Sequence, residues 1–235
     1  MRLGDLGPQL VTAGVIDKEK FLKLYAGNAS LTNEAEKLLN TSGRELVITR
    51  ENAPVVLNFL WALGLANKNP ILDSGEMMDS RYVGAGNFAS TGGWTIAKGP
   101  SMEHYSRHML IKLTPEQQLL VDKVSAHIYR PCCGNSAHFP DCDHGMAMLG
   151  LLELMASQGA SEKQMYKAAL AVNSYWFPDT YMTIAAYMKN QRTAWRNVDP
   201  QEMLGVNYSS GQGFARIASQ VAQLEGRSGG SSCGV

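Results

Sequence analysis

The chain has 235 residues, with 21 basic and 21 acidic side chains and a formal net charge of +0. Because phosphate binding depends on an excess of positive charge, this balance argues against a nucleic-acid-binding protein and against a polybasic membrane contact. Hydrophobic residues make up 45% of the chain, which is enough to fill the core of one large domain.

The N-terminus does not look like a targeting segment. Asp5 interrupts it early, and no apolar run of signal-peptide length follows. The longest apolar stretch, Ala53 to Ala66, is broken by Asn58 and is shorter than the roughly 20 residues that a membrane-spanning helix needs. We therefore expect a soluble cytoplasmic protein with no membrane span, unless a leader precedes the sequence.

Helical patterns dominate the first part of the chain. Asp17 and Thr32 can each cap a short helix, around residues 21–25 and 35–39. The stretch from Ala53 to Ala66 carries apolar residues at spacings of three and four, which predicts a buried helix.

The segment from Ser74 to Pro100 has no helical period and is rich in glycine. We expect an irregular excursion that covers one end of the helical core. Two alternatives are a β-hairpin with Gly92-Gly93 as its turn and a lid over a site.

The second half of the chain contains clear helix starts. Thr114, Ser161 and Asp199 stand where N-caps are expected, and the helix that follows Thr114 is predicted to end near Tyr129. Asp143 is predicted to cap a helix that is apolar on nearly all sides and therefore central and fully buried. Further helices are predicted after Pro178 and over residues 212–225.

These elements predict a mainly α fold. Residues 1–225 are expected to form a single compact multi-helix domain, with the glycine-rich excursion at about 74–100 as its one irregular part. Residues 226–235 are rich in glycine and serine and are predicted to be a flexible tail. The tail carries Cys233, which could act as a mobile extra thiol.

The strongest chemical signal is the segment RPCCGNSAHFPDCDH, which runs from residue 130 to residue 144. Thiolate and imidazole are the ligands that zinc, copper and iron prefer, so the segment predicts a metal site. Cys142 and His144 fall at the start of the predicted central helix, where the helix dipole favours a thiolate. The predicted ligands are Cys132, Cys133, Cys142 and His144, with His138 as a further ligand.

The spacing of these residues matches no standard zinc finger, c-type haem or ferredoxin motif. Zinc is the first expectation for the metal, with copper or iron as alternatives. The expected role is metal handling, sensing or metal-assisted catalysis, with the ion and a small molecule or metal donor as partners. The oligomeric state is left open.

Two other functions remain open at this stage. One is a thiol-dependent enzyme, in which a low-pKa cysteine is the nucleophile and His138 or His144 is the base. The other is a structural or interaction domain, in which the segment holds a Cys133–Cys142 disulfide or inert thiols.

Overall fold

The structure is a computed structural model that describes residues 1–228, with side chains up to residue 223. Cys233 and most of the predicted tail lie outside the described residues, so the domain division and the role of that cysteine stay predictions. The mainly α fold is confirmed. Within the described part of the chain, no helix combines the length and the hydropathy needed to cross a bilayer.

The helices follow one another with short connections, apart from the glycine-rich segment and the cysteine loop. They are α1 Leu6–Thr12, α2 Lys18–Lys23, α3 Ala29–Asn40, α4 Ala53–Ala66, α5 Pro70–Ser74, α6 Pro115–Ser125, α7 Asp143–Ser157, α8 Glu162–Trp176, α9 Pro178–Asn190, α10 Pro200–Leu204, α11 Val206–Ser209 and α12 Gly211–Ser228. Two short antiparallel strands, β1 Arg2–Gly4 and β2 Arg44–Glu45, pair near the N-terminus.

Most of the predicted helix starts are confirmed. Thr114 and Ser161 each form a capping box with the glutamine three residues later. Four details differ from the prediction. The last helix, α12, runs from Gly211 to Ser228, past the predicted end at residue 225 and into the predicted tail. The helix α3 starts from an Asn28 cap, ahead of Thr32. The helix α6 ends at Ser125, before Tyr129. The N-cap of α7 is Cys142, so Asp143 is its first residue.

The centre of the fold is the contact between α4 and α7, both of which are buried over most of their length. Their backbones touch at two glycines. A Cβ atom on Gly64 would lie 2.1 Å from the carbonyl oxygen of Met146, and one on Gly150 would lie 2.5 Å from that of Leu60. Because only glycine permits this approach, α7 is fixed in the core as predicted, and its N-terminal end has a defined position.

The glycine-rich segment forms a series of short helical turns rather than a hairpin. It contains 3₁₀ turns at Glu76–Met78, Ser80–Tyr82 and Ala85–Asn87, followed by a π turn at Ala89–Gly93. The irregular excursion is therefore confirmed, and the hairpin alternative is wrong. The carbonyl oxygen of Phe88 accepts hydrogen bonds from the backbone N–H groups of residues 91, 92 and 93, which closes a local turn where a strand would have to begin.

Candidate metal centre

The cysteine loop, residues 126–142, connects α6 to the half-buried N-terminus of α7. It folds back on itself: Tyr129 pairs with Ser136 in an antiparallel bridge, and the Ala137 N–H donates to the Ile128 carbonyl at 2.7 Å. The turn between these residues carries the two adjacent cysteines. It is fixed from outside by the Gly211 N–H at the start of α12, which donates to the Cys133 carbonyl at 2.8 Å.

The loop brings three sulfur atoms together. The Sγ atom of Cys132 lies 3.6 Å from that of Cys142 and 4.0 Å from that of Cys133. The Sγ atoms of Cys133 and Cys142 lie within 4.8 Å of each other. All three are free thiols, so the Cys133–Cys142 disulfide considered for a structural domain is not formed. Cys132 is exposed, whereas the other two are half-buried.

His144 completes one set of donors. One of its ring nitrogens and the sulfur atoms of Cys132 and Cys142 all lie within 4.8 Å of one another. The ring packs against Phe177, with ring centroids 4.4 Å apart, and against Trp176 at 5.8 Å. These aromatic contacts from the α8–α9 junction hold the imidazole beside the sulfur atoms. A second set of donors consists of Cys133, Cys142 and an oxygen of Asp141.

His138 is placed differently from the other predicted ligands. Its Nδ1 lies 3.9 Å from the Glu76 carboxylate, and its Nε2 lies 4.0 Å from the Asp122 carboxylate. Neither of the two donor sets found among the described residues contains it. Among the predicted ligands, the structure therefore places Cys132, Cys142 and His144 in one donor set and Cys133 and Cys142 in the other, and it turns His138 toward two acidic side chains instead.

Arg130 is the residue of this site that sequence reasoning missed. Its guanidinium is fully buried, and Nη2 donates to Asp141 Oδ1 at 2.6 Å. Its Nε and Nη1 atoms have no hydrogen-bond partner among the residues that the structure describes. The group lies against α7 at Gly145, where a Cβ atom would stand 2.7 Å from the guanidinium carbon. The one signal in the sequence was an arginine two residues before the cysteine pair, in a segment flanked by apolar helices.

The charges of this cluster are coupled. Burial opposes the positive charge of Arg130, but the nearby Cys142, Cys133 and Asp141 groups more than offset it, so the pKa of the guanidinium is raised. Hydrogen bonds from the Cys132 and Cys133 thiols hold the pKa of Cys142 well below its usual range, against the effect of burial. The hydrogen bond between Cys132 and Cys133, followed by the one to Cys142 and by burial, raises the pKa of Cys132. Cys142, at the N-cap of α7, is therefore the first of these sulfur atoms to carry a negative charge.

Asp143 is a second acidic group at the helix start. One of its carboxylate oxygens is buried, with no hydrogen-bond partner in the described part of the chain. Burial, with a smaller contribution from the charge of Cys142, raises the pKa of this carboxyl group to about 6.

The glycine-rich segment braces the loop from the side of α4. The hydroxyl of Ser90 donates to the Pro140 carbonyl at 2.7 Å, and the Ser90 N–H donates to the Asp141 carbonyl at 3.2 Å. The Ser90 carbonyl in turn accepts a hydrogen bond of 2.9 Å from the indole of Trp61 in α4. Phe139 of the loop packs against Tyr82 and Phe88 of the segment. The excursion thus positions the loop that carries the cysteines.

Comparison of the chain with protein-family models, with curated proteins and with solved structures found no match.

Proposed function

We propose that this protein binds one transition metal ion of soft or borderline character, zinc first, through Cys132, Cys133, Cys142 and His144. The observation that carries the proposal is the spacing of the sulfur atoms. A tetrahedral zinc ion with Zn–S bonds of about 2.3 Å needs its sulfur ligands about 3.8 Å apart. The two sulfur–sulfur distances of 3.6 and 4.0 Å lie on either side of that value.

The charge at the site supports the same ligand set. Three thiolates and one divalent ion sum to a single negative charge, and neutral imidazole adds none. Arg130 supplies the balancing positive charge, and this charge persists in the buried site because arginine does not lose its proton. The nearby Cys142 and Cys133 stabilise the positive charge of this guanidinium. Its Nε and Nη1 groups have no hydrogen-bond partner among the described residues. A buried cation with two unpartnered donors is expensive unless an anion lies beside it.

The exposure of Cys132 favours metal handling or sensing over a permanently closed structural site. A filled Cys3His set is also typical of structural zinc sites, but an ion that exchanges must in addition be reached by an incoming ligand. Here one of the four ligands is at the surface, while Cys142 is anchored at the start of the central helix. Copper and iron remain alternatives because three thiolates and an imidazole suit these ions as well.

The test is metal content. Protein purified anaerobically without a histidine tag, and reconstituted with Zn²⁺, should contain about one zinc per chain by elemental analysis, since four donors complete one tetrahedral site. C142S should lose the ion, because the Cys142 sulfur belongs to both donor sets. H138A is the matched control and should keep it, because this ring faces Glu76 and Asp122. A metal content near zero for all transition metals after reconstitution would refute the proposal.

A second candidate function is a thiol-dependent enzyme that uses the same residues. The observation in its favour is the position of the Cys142 sulfur, which is near both the Arg130 guanidinium and the His144 ring. It requires a metal-free cluster in which Cys142 reacts with iodoacetamide much faster than a free cysteine does at neutral pH. Slow alkylation of Cys142 in metal-free protein would exclude it.

A further inference from the structure

We propose that Cys132 and Cys142 form a reversible disulfide when the protein meets a small hydroperoxide, and that this bond releases the metal ion. The same two sulfur atoms either bind the metal ion or form the disulfide, and they cannot do both at once. The release half of the inference rests on the proposed metal site, whereas the disulfide half does not.

The geometry selects this pair of cysteines. Their sulfur atoms are 3.6 Å apart, the shorter of the two sulfur–sulfur distances measured for Cys132. Cys132 and Cys133 are poorly placed to pair, because consecutive Cα atoms are about 3.8 Å apart whereas a disulfide prefers about 4.4–6.8 Å. Closing the Cys132–Cys142 gap to a bond of about 2.05 Å needs a movement of about 1.5 Å.

Cys132 and Cys142 differ in mobility and in exposure to solvent. Cys142 is the N-cap of a helix fixed in the core, so its main chain cannot follow. Cys132 is exposed, and so is Gly134 two residues later, so the Cys132 side chain has room to rotate toward Cys142 while the Cys133 carbonyl keeps its hydrogen bond to Gly211. Cys142 is half-buried, so a molecule as small as hydrogen peroxide reaches it more easily than a bulky oxidant does.

The chemistry balances with one equivalent of hydroperoxide. The Cys142 thiolate sulfur attacks a peroxide oxygen, the O–O bond breaks, and the departing hydroxide takes up a proton to leave as water. The sulfenic acid formed on Cys142 is attacked by the Cys132 sulfur, the S–O bond breaks, and the second hydroxide leaves with the Cys132 proton as water. The two sulfur atoms give up two electrons, and hydrogen peroxide is reduced to two water molecules.

Oxidation removes two of the four proposed ligands in one step. Zinc held by Cys133 and His144 alone lacks the donor set of a tetrahedral site, so it should dissociate. A thiol reductant restores both thiolates and with them the site. The cluster would then report the redox state of its surroundings by binding or releasing an ion.

The experiment follows the disulfide and the ion separately. Metal-free and zinc-loaded full-length protein, both in a C233S background, are treated with one equivalent of hydrogen peroxide and then alkylated. A protease that cleaves before aspartate cuts at Asp141 and Asp143, so Cys142 leaves the chain in a dipeptide, away from Cys132 and Cys133. We expect mass spectrometry to find this dipeptide linked to the peptide that contains Cys132.

Single variants identify the partner. In metal-free protein, C132S should form at least tenfold less of the link than the parent, whereas C133S should still form it. H138A, whose ring faces Glu76 and Asp122, should form as much of the link as the parent. In the zinc-loaded protein, we expect one zinc released per disulfide formed, and recapture after reduction.

The disulfide half is overturned if metal-free parent protein gives only sulfinic or sulfonic acid, or if C132S links as well as the parent. The release half is overturned if the link forms and zinc stays bound. Zinc content measured before oxidation tests the proposed function by itself. A protein that never takes up metal but forms the link would refute metal binding, and with it the release half, while supporting the disulfide.

Discussion

Two ionisable side chains are fully buried against the central helix α7, and burial has opposite consequences for their charge. Arg130 lies at the N-terminal end, beside Gly145, and Glu153 lies on the helix itself, in the core. Burial raises the pKa of Glu153 to about 8, so this carboxyl group is mostly neutral at pH 7. Arg130 stays protonated in proteins at any ordinary pH. Its positive charge therefore has to be balanced by negative charge on neighbouring groups.

The partners of the two groups differ accordingly. Glu153 Oε1 accepts a hydrogen bond from the Asn69 side chain, an uncharged amide, and its Oε2 has no partner. Arg130 has the Asp141 carboxylate and the cysteine sulfur atoms around it. The two buried groups are therefore not equivalent. Glu153 is a neutral carboxylic acid in the core, whereas the cation of Arg130 stabilises the negative charge of Asp141 and the cysteine sulfur atoms.

The largest expected effect is that of R130M, because the substitution removes the cation and leaves the Asp141 carboxylate and the sulfur atoms without it. Breaking a buried ion pair by removing one partner lowers the free energy of unfolding by about 3–5 kcal/mol. Urea unfolding of the metal-free variant and parent at pH 7 measures this loss in the free energy of unfolding. Zinc affinity should fall as well, since three thiolates would gather without a compensating charge.

R81M is the matched control for this experiment. Arg81 also forms an ion pair with an aspartate, Asp79, at 2.9 Å, but its side chain is 77% exposed. No measurable change in stability is expected there. If R130M unfolded at the same urea concentration as the parent, the cluster would not depend on a buried cation, and the comparison with Glu153 would lose its basis.

The second expected effect is a pH dependence that E153Q removes. The pKa of Glu153 is about 8 in the folded protein and near the ordinary 4.5 in the unfolded chain. The folded form therefore keeps a proton that the unfolded form has lost. Stability is full below about pH 4.5 and falls as the pH rises toward 8, by on the order of 4 kcal/mol.

Glutamine keeps the oxygen that accepts from Asn69 and has no proton to lose. The difference in the free energy of unfolding between E153Q and the parent should therefore grow from pH 5 to pH 8.5, in favour of the variant. E36Q, at an exposed position of α3, should track the parent throughout. A constant difference between E153Q and the parent across this range would show that Glu153 does not change protonation on folding.

Local signals in the sequence were enough for most of the helices. The bounds of α4 and the capping boxes at Thr114 and Ser161 follow from spacing and from residue types within one turn. The pairing of β1 with β2 could not be predicted, because strands of three and two residues carry no alternation and meet across some forty residues of chain.

The candidate site was predictable in its donors but not in its surroundings. Cys132, Cys133, Cys142 and His144 stand out by residue type, and the structure distributes them over two donor sets that share Cys142. The burial of Arg130 depends on a missing side chain at Gly145, fifteen residues later, and on the Asp141 carboxylate. The turning of His138 toward Glu76 depends on where the glycine-rich segment packs. Such long-range contacts leave no local pattern in the sequence.

The smallest of the expected effects is that of D141N, which separates charge from hydrogen bonding at the Arg130 end. The asparagine oxygen can still accept from Arg130, while the negative charge is lost. Hydrogen bonds to charged groups are worth about 1.5–3 kcal/mol, so the loss of unfolding free energy should lie within that range. N135A is the control, since it removes the 2.8 Å hydrogen bond from Asn135 to the other Asp141 oxygen but keeps the charge of Asp141, and it should also lose about 1.5–3 kcal/mol. Zinc should reduce the penalty of D141N relative to the metal-free protein, because the anionic metal–thiolate cluster then supplies the charge that Arg130 needs. A penalty that is equal with and without zinc would show that Arg130 is matched by Asp141 alone and that the sulfur atoms gain nothing from it.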